Sequence, residues 1–313
     1  MTLAGPLIAA QAAGRGTGKS RAAALSIASN CALIALKIAA GAITGSVAII
    51  TEAMHSSIDL IASIVAFVSV RKADKPADAD HPYGHDKIEN LAAAIEALLI
   101  LVGSGVIVFE SVRRLSTSHT EVSSLGVGIA VIAVSVVANV AVSSVLARRA
   151  RETDSPALEG DAAHLRTDAA TSTAVLVGLV VVELTGQTWL DPVIALVVAV
   201  AIVTAGVRLL MRASRVLVDE ALPPQELDAV RDAIAEFGPR GVRGYHKLRA
   251  RRAGSRRYVD LHVQFQSGTT LEAAHATAHA LQDAIRARLR RADVLIHLEP
   301  EANVRPGTEI PPR

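Results

Sequence analysis

The polar stretch Thr51-Glu-Ala-Met-His-Ser-Ser-Ile-Asp59-Leu interrupts an otherwise apolar segment of this 313-residue chain. Its His55 and Asp59 are one helical turn apart, so a helix places both side chains on one face. The same spacing recurs in His164-Leu-Arg-Thr-Asp168, which opens another apolar segment. Ionisable groups inside a hydrocarbon layer are costly and usually mark an ion path. Two imidazoles and two carboxylates, supplied by two helices, suit one tetrahedral site of the Zn²⁺ type.

The composition is that of a helical membrane protein. Hydrophobic residues make up 51% of the chain, aromatic residues only 3%, and the mean hydropathy is +0.38; this pattern is typical of membrane helices rather than of a soluble enzyme. The formal net charge of +2 does not indicate a nucleic-acid partner. The single cysteine, Cys31, excludes an internal disulfide framework and a cysteine-rich zinc cluster.

Six apolar segments predict membrane-spanning helices, each close to or above the ~20 residues that cross a bilayer. They are residues 22–43, 46–70, 89–111, 123–147, 160–185 and 191–211. Basic residues concentrate on one side of these segments, with Arg113 and Arg114 as exceptions, so the positive-inside rule puts both termini in the cytosol. We predict a flexible, basic cytosolic leader over residues 1–21 and a transmembrane domain over residues 22–212.

The predicted orientation gives a test of depth for the two pairs, since the second helix then runs inward and the fifth outward. At ~1.5 Å rise per residue, Asp59 lies about 18 Å and His55 about 24 Å from the cytosolic end of their helix. His164 lies about 20 Å and Asp168 about 26 Å from the corresponding end of theirs. All four groups are therefore predicted at nearly one depth, with histidine facing aspartate across the gap.

Other polar residues in the apolar segments have a simpler interpretation. We interpret Lys37 and Glu96 as groups that hydrogen-bond a neighbouring helix rather than as metal ligands. The loop after the second segment contains Asp78, His81 and His85. Two interpretations of it remain open: a second, more exposed metal site, or a cytosolic turn whose charges are solvated.

The periodicity changes after the sixth apolar segment. Residues 223–237 and 271–290 read as helices, and residues 242–250, 256–266 and 293–299 as strands. This α-β-β-α-β order predicts a small α+β domain over residues 213–301, followed by a C-terminal tail over residues 302–313. Five of the ten histidines lie in the domain: His246, His262, His275, His279 and His297. Two interpretations are compatible with this spacing. The histidines form a metal site together with Glu299, or they are ordinary surface histidines.

Together these residues resemble the cation diffusion facilitator family of divalent-metal transporters over residues 22–301. The resemblance is carried by Thr44-Gly-Ser-Val-Ala-Ile, the two His/Asp pairs, Lys75-Pro-Ala-Asp-Ala-Asp-His-Pro-Tyr-Gly-His-Asp-Lys87, Asp191-Pro192 and Asp293-Val-Leu-Ile-His297. It implies six transmembrane helices, a homodimer and a ferredoxin-like cytosolic domain. It also implies proton-coupled export of Zn²⁺ or a related ion across a bacterial plasma membrane, with no organic cofactor.

The resemblance also implies roles for particular residues. The transport site would be His55, Asp59, His164 and Asp168. The loop site would be Asp78, His81 and His85. A binuclear site in the cytosolic domain would be His246, His262, His275 and His297, with Glu299 where many bacterial relatives have aspartate. Lys87 and Asp219 would form a salt bridge between the membrane and cytosolic parts.

Metal preference and the type of function follow from these residues. His55 stands where many bacterial relatives have aspartate, and a site with two histidines favours Zn²⁺, with Fe²⁺, Co²⁺ and Cd²⁺ as alternatives. We therefore expect a metal/proton antiporter that works by alternating access. The alternative from another class is a membrane-anchored metal sensor or store. A metallohydrolase is disfavoured because four ligands saturate the zinc, whereas catalytic zinc keeps an open position.

Overall fold

The structure is a computed structural model that describes residues 5–44, 47–117, 125–187 and 189–303. The chain divides into two compact units, Met1–Ser214 and Arg215–Arg313. The helices of the membrane part are α1 (Gly5–Thr44), α2 (Val47–Ala73), α3 (Lys87–Thr117), α4 (Leu125–Thr153), α5 (Pro156–Thr185) and α6 (Leu190–Leu217). The predicted six long helices are therefore present.

Helix α1 begins earlier than the sequence predicted. We expected a flexible leader before residue 22, but the helix runs from Gly5 to Thr44 without a break. Pro6 stands in its first turn, where proline is tolerated, and no other proline follows within the helix. Alanine-rich sequence then favours continued helix. The backbone thus differs from the expected leader in being helical, because that expectation relied on polarity rather than on helix propensity.

The helices of the first unit pack with polar groups inside and large apolar groups outside. Helix α5 packs against α3 and α4, and α2 packs against α1 and α3. Alanines at the contacts, such as Ala62, Ala66 and Ala97, are fully buried and let the helices approach closely. Large apolar side chains on the outside are exposed, for example Val102, Val137 and Val197. An apolar exterior of this kind suits a lipid environment.

Four stretches within the described residues are long and apolar enough to cross a membrane by composition alone. They are Gly18–Ile43, Lys87–Arg113, Ile129–Thr153 and Pro192–Leu217. They correspond to the first, third, fourth and sixth of the predicted spans. Helices α2 and α5, which carry the two His/Asp pairs, pack within the same bundle.

The second unit has the predicted α-β-β-α-β order. Its elements are α7 (Pro224–Ala235), β1 (Val242–Ala253), β2 (Arg256–Phe265), α8 (Leu271–Arg288) and β3 (Ala292–Pro300). Strand β2 lies in the centre of the sheet, antiparallel to β1 and parallel to β3. The β1–β2 turn includes Gly254, whose φ of 54° lies in the left-handed region that glycine tolerates. The side chain of Thr270 caps α8 by accepting a hydrogen bond from the amide of Ala273.

The alternation along β2 separates a core face from a polar face. Val259, Leu261, Val263 and Phe265 are buried in one cluster with residues of α7 and α8. Because successive side chains of a strand point to opposite faces, His262 lies on the other face, away from these helices. The sheet thus presents a polar face on which histidines of neighbouring strands can meet.

Candidate metal sites

The first candidate site lies between α2 and α5 inside the helix bundle. Ligand atoms of Asp59, His164 and Asp168 all lie within 4.8 Å of one another. His164 Nε2 is 3.3 Å from Asp59 Oδ1 and 3.9 Å from Asp168 Oδ2. Asp59 and His164 are buried, and Asp168 is nearly so. The structure therefore brings together one imidazole and two carboxylates, with histidine facing aspartate across the two helices.

The fourth predicted ligand, His55, lies in α2 one turn before Asp59, but its side chain is outside the described part of the structure. Its neighbour Ser56 accepts a hydrogen bond from Lys37 Nζ at 2.7 Å. Lys37 on α1 thus contacts the neighbouring helix, as the packing interpretation expected. Glu96 behaves differently, because neither of its carboxylate oxygens has a hydrogen-bond partner among the described residues.

The second candidate site is the loop between α2 and α3. Asp78 Oδ1 accepts hydrogen bonds from the backbone amides of Asp80 at 3.1 Å and His81 at 2.8 Å. His85 Nε2 lies 3.3 Å from Asp78 Oδ2, and His81 Nδ1 lies 3.3 Å from Asp78 Oδ1. The hydrogen bond from the His81 backbone lowers the pKa of Asp78, which favours the ionised form that binds metal. The backbone of this turn brings the three predicted ligands together.

The third candidate site lies on the polar face of the sheet. His246, His262 and His297 are direct cross-strand partners along β1, β2 and β3. Glu299 Oε2 lies 2.7 Å from His246 Nε2, and Glu299 Oε1 lies 2.6 Å from His262 Nδ1. His246 is followed by Lys247, with a φ of 50°, at a register shift between β1 and β2. An irregularity of this kind re-aims side chains beside it.

The electrostatics of Glu299 suit an ionised ligand. Partial burial alone raises the pKa of Glu299, but hydrogen bonds from His262, His246 and Gln264 outweigh it and lower the pKa to about 2. The Gln264 amide donates to Glu299 Oε2 at 3.1 Å. His246 Nδ1 is buried without a hydrogen-bond partner in the described part of the chain. Two imidazoles and a carboxylate in this arrangement fit a divalent ion.

Two of the predicted ligands in this domain lie outside the tight cluster. The ring of His297 is 4.6 Å from that of His262, but its side chain is 64% exposed and its Nε2 lies 4.0 Å from Glu299. His275 lies on α8, where its Nε2 is 3.1 Å from Nε2 of His279. The structure therefore groups His275 with its own helical neighbour rather than with the histidines of the sheet.

The predicted salt bridge between Lys87 and Asp219 stays a prediction. Within the second unit, Asp219 Oδ1 accepts a hydrogen bond from Arg251 Nη1 at 2.8 Å.

Sequence reasoning missed a buried ion pair within the first unit. Lys19 Nζ lies 2.7 Å from Glu89 Oε1, and both residues are 2% exposed. The hydroxyl of Ser155 donates to the other oxygen of Glu89. The available signal was a pair of opposite charges near the start of the first and third predicted spans, which positive-inside counting treats only as an orientation cue.

Comparison with known proteins agrees over both units. The chain matches a family model of the cation efflux transmembrane domain over residues 23–218 and one of the cytoplasmic domain of cation efflux proteins over residues 222–301. The uncharacterized transporter sll1263 of Synechocystis sp. is 36% identical over 279 residues, 89% of each chain. The cation-efflux pump FieF of Klebsiella pneumoniae is 31% identical over 290 residues, 91% of this chain and 94% of that protein.

A solved structure of the putative zinc transporter CzrB in its zinc form is 32% identical, with a TM-score of 0.26. The alignment covers 28% of this chain and 98% of the CzrB chain. The assignment to a family rests on the two matched models and on the relatives that align with almost the whole length of this chain. The chain therefore belongs to the cation efflux family: it is a multi-pass membrane transporter for divalent metal cations, with a C-terminal cytosolic domain, and not an enzyme.

Proposed function

We propose that the protein exports Zn²⁺ from the cytosol in exchange for protons, with the cluster between α2 and α5 as its transport site. The observation that carries this proposal is the buried grouping of Asp59, His164 and Asp168 within 4.8 Å. A buried imidazole with two carboxylates is costly in a bilayer unless the group binds a cation or protons. His55, one turn from Asp59, is the proposed fourth ligand.

Exchange for protons follows from the chemistry of the ligands. Carboxylates and imidazoles bind metal only when deprotonated, so metal entry releases protons and proton entry releases metal. Histidine is the side chain that ordinarily titrates near neutral pH, which makes His55 and His164 suitable exchange groups. Rocking of the helices would expose the same ligands to each side of the membrane in turn. Two imidazoles favour Zn²⁺ over harder ions, with Fe²⁺, Co²⁺ and Cd²⁺ as competing cargoes.

The transport site is tested with purified protein in vesicles that contain a metal-sensitive dye. We expect Asp59→Asn and Asp168→Asn each to reduce Zn²⁺ flux by more than about 100-fold, since removing a direct ligand exceeds the 10–100-fold cost of an outer-sphere change. Glu159→Gln is the matched control, because Glu159 lies on α5 but is paired with Arg212 and is outside the cluster. Undiminished flux in both aspartate variants would exclude this site.

Metal bound at the loop and on the sheet would regulate transport. Asp78, His81 and His85 form the proposed loop site, and His246, His262 and Glu299 form the centre of the proposed cytosolic site. His297 and His275 are proposed to complete the cytosolic site when metal binds. The family model over residues 222–301 bears the name of a dimer domain, which supports a homodimer. We place this homodimer in a bacterial plasma membrane with both termini cytosolic, as the positive-inside rule predicts.

A further inference from the structure

Glu96 is the buried carboxyl group that the transport site does not use. It lies within the third predicted span, on α3, and it is 0% exposed. Both of its oxygens are buried without a hydrogen-bond partner among the side chains and backbone groups that the structure describes. An ionised carboxylate in such surroundings is costly, and such a group usually binds a proton or a cation instead.

Asp161 on α5 is the titratable group that acts on Glu96, and it is also 0% exposed. Its Oδ1 accepts hydrogen bonds from the hydroxyls of Ser26 and Ser63, each at 3.1 Å. Asn30 donates to Ser63 Oγ at 2.9 Å and so completes a polar network from α1 and α2. The second oxygen of Asp161 has no partner within the described residues. The hydroxyl groups therefore hold Oδ1 of Asp161 in place, whereas its Oδ2 has no hydrogen-bond partner among the described residues.

Close packing of α3 and α5 brings the two acids towards each other. A side chain at Gly160, the residue before Asp161, would meet Cα of Ala93 at 3.2 Å and the carboxyl carbon of Glu96 at 3.4 Å. The same stretch of α3 otherwise packs on apolar Ile202 and Leu209 of α6. No cation from the described residues neutralises Glu96. Two nearby carboxyl groups in a low dielectric repel each other when both are ionised, so one bound proton stabilises the pair.

We infer that Glu96 and Asp161 form a proton-binding site inside the helix bundle, separate from the metal ligands. One carboxyl group holds the proton as an O–H while the other stays ionised, so the pair carries a single negative charge. Two acids with hydroxyl and amide donors around them offer too few ligands for a divalent ion but suit a proton. The histidine whose charge acts on Asp161 is His164, which belongs to the transport site.

This site deepens the proposed antiport and rests on it. Asp161 precedes the ligand His164 by three residues, or about 4.5 Å along α5. A divalent ion at the transport site therefore favours the ionised state of the pair. When metal enters, the carboxylic O–H bond breaks and the proton leaves to water, which leaves two carboxylates. Metal release reverses the step. The site would thus supply one of the exchanged protons without touching the metal.

The test uses the full chain in lipid nanodiscs and two readouts. Infrared difference spectra with and without Zn²⁺ report the C=O band of a protonated carboxyl group. Calorimetry in buffers of different ionisation enthalpy counts the protons released per metal ion. We expect Glu96→Gln to remove the Zn²⁺-sensitive acid band and to lower the release by about one proton per chain. The number of Zn²⁺ ions bound should not change.

The controls separate this proposal from folding and from the transport site. Glu110→Gln, at the other end of α3 where Glu110 pairs with Arg113, should retain both signals. Glu96→Met has an apolar side chain of similar length. It should lose both signals as well, and it replaces Glu96→Gln in the test if that variant folds poorly. A retained band, an unchanged proton count or a lower number of bound ions in the Glu96 variants would overturn the inference. Failure of the transport site would instead appear as Zn²⁺ flux retained in Asp59→Asn and Asp168→Asn.

Discussion

Single ionisable residues in this protein differ in what compensates their charge, and Glu299 shows the effect most directly. Its ordinary pKa is 4.5, and in the folded domain, where burial is outweighed by hydrogen bonds from His262, His246 and Gln264, it is about 2. A group with a lowered folded pKa adds stability that is present above its ordinary pKa. That stability is lost as the pH falls from about 4.5 towards 2.

We therefore predict that Glu299→Gln destabilises the metal-free cytosolic domain at neutral pH by about 1–2 kcal/mol and flattens its loss of stability in acid. Denaturant unfolding of residues 215–313, which have their own buried core, measures both quantities in the presence of a chelator. Glu272→Gln is the control, because this exposed acid on α8 is expected to change stability by less than about 0.5 kcal/mol. Equal slopes in acid for the variant and the native domain would contradict the prediction.

At the scale of elements, one buried ion pair connects three helices of the first unit. Lys19 comes from α1 and Glu89 from the first turn of α3, while Ser155 stands immediately before α5. Ser155 also accepts a hydrogen bond from the amide of Leu158 and so caps the helix that carries His164. Breaking a buried pair leaves one uncompensated charge, which costs more than the pair contributes.

We predict that Lys19→Met lowers the stability of the full chain in detergent by about 3–5 kcal/mol. The double variant Lys19→Met/Glu89→Met should recover most of that loss, because it leaves no unpaired buried charge. Asp74, whose Oδ1 also lies 4.0 Å from Lys19 Nζ, is partly exposed and keeps contact with solvent. Thermal unfolding of the single and double variants measures both steps. Arg113→Met, at the exposed pair with Glu110, should cost at most about 1 kcal/mol. A double variant as unstable as the single one would show that the charge of Glu89 is not the cause.

The elements that sequence could predict are those with a strong local pattern. Alternation along β2 predicted its two faces, and the His-x-x-x-Asp spacing predicted which side chains share a helix face. Rise per residue gives depth in a membrane but not the direction that a side chain faces. The meeting of Asp59 with His164 was therefore predictable from depth, whereas the lack of a hydrogen-bond partner for Glu96 among the described residues was not. That lack depends on how α3 packs on α5 at Gly160, which only the assembled bundle contains.

At the scale of the whole molecule, the proposed transport direction requires that the proposed loop site and the cytosolic domain lie on the same side of the membrane. The positive-inside rule and the even number of predicted spans place the loop after α2 on the side of both termini. The end of α3 would then lie on the opposite side. Arg113 and Arg114, at that end, argue against this orientation by charge alone, so a direct test has value.

The single cysteine makes that test simple, because Cys31→Ser gives a background without thiols. In this background we predict that Asp80→Cys in the loop and Ser267→Cys in the domain resist a membrane-impermeant maleimide in intact cells and react after permeabilisation. Ser116→Cys, near the end of α3, should react in intact cells. All three positions are exposed in the structure, so access to the reagent and not burial decides labelling. Labelling of Asp80→Cys in intact cells would show that the orientation is opposite to the predicted one. The proposed direction of transport, out of the cytosol, would then lose its support.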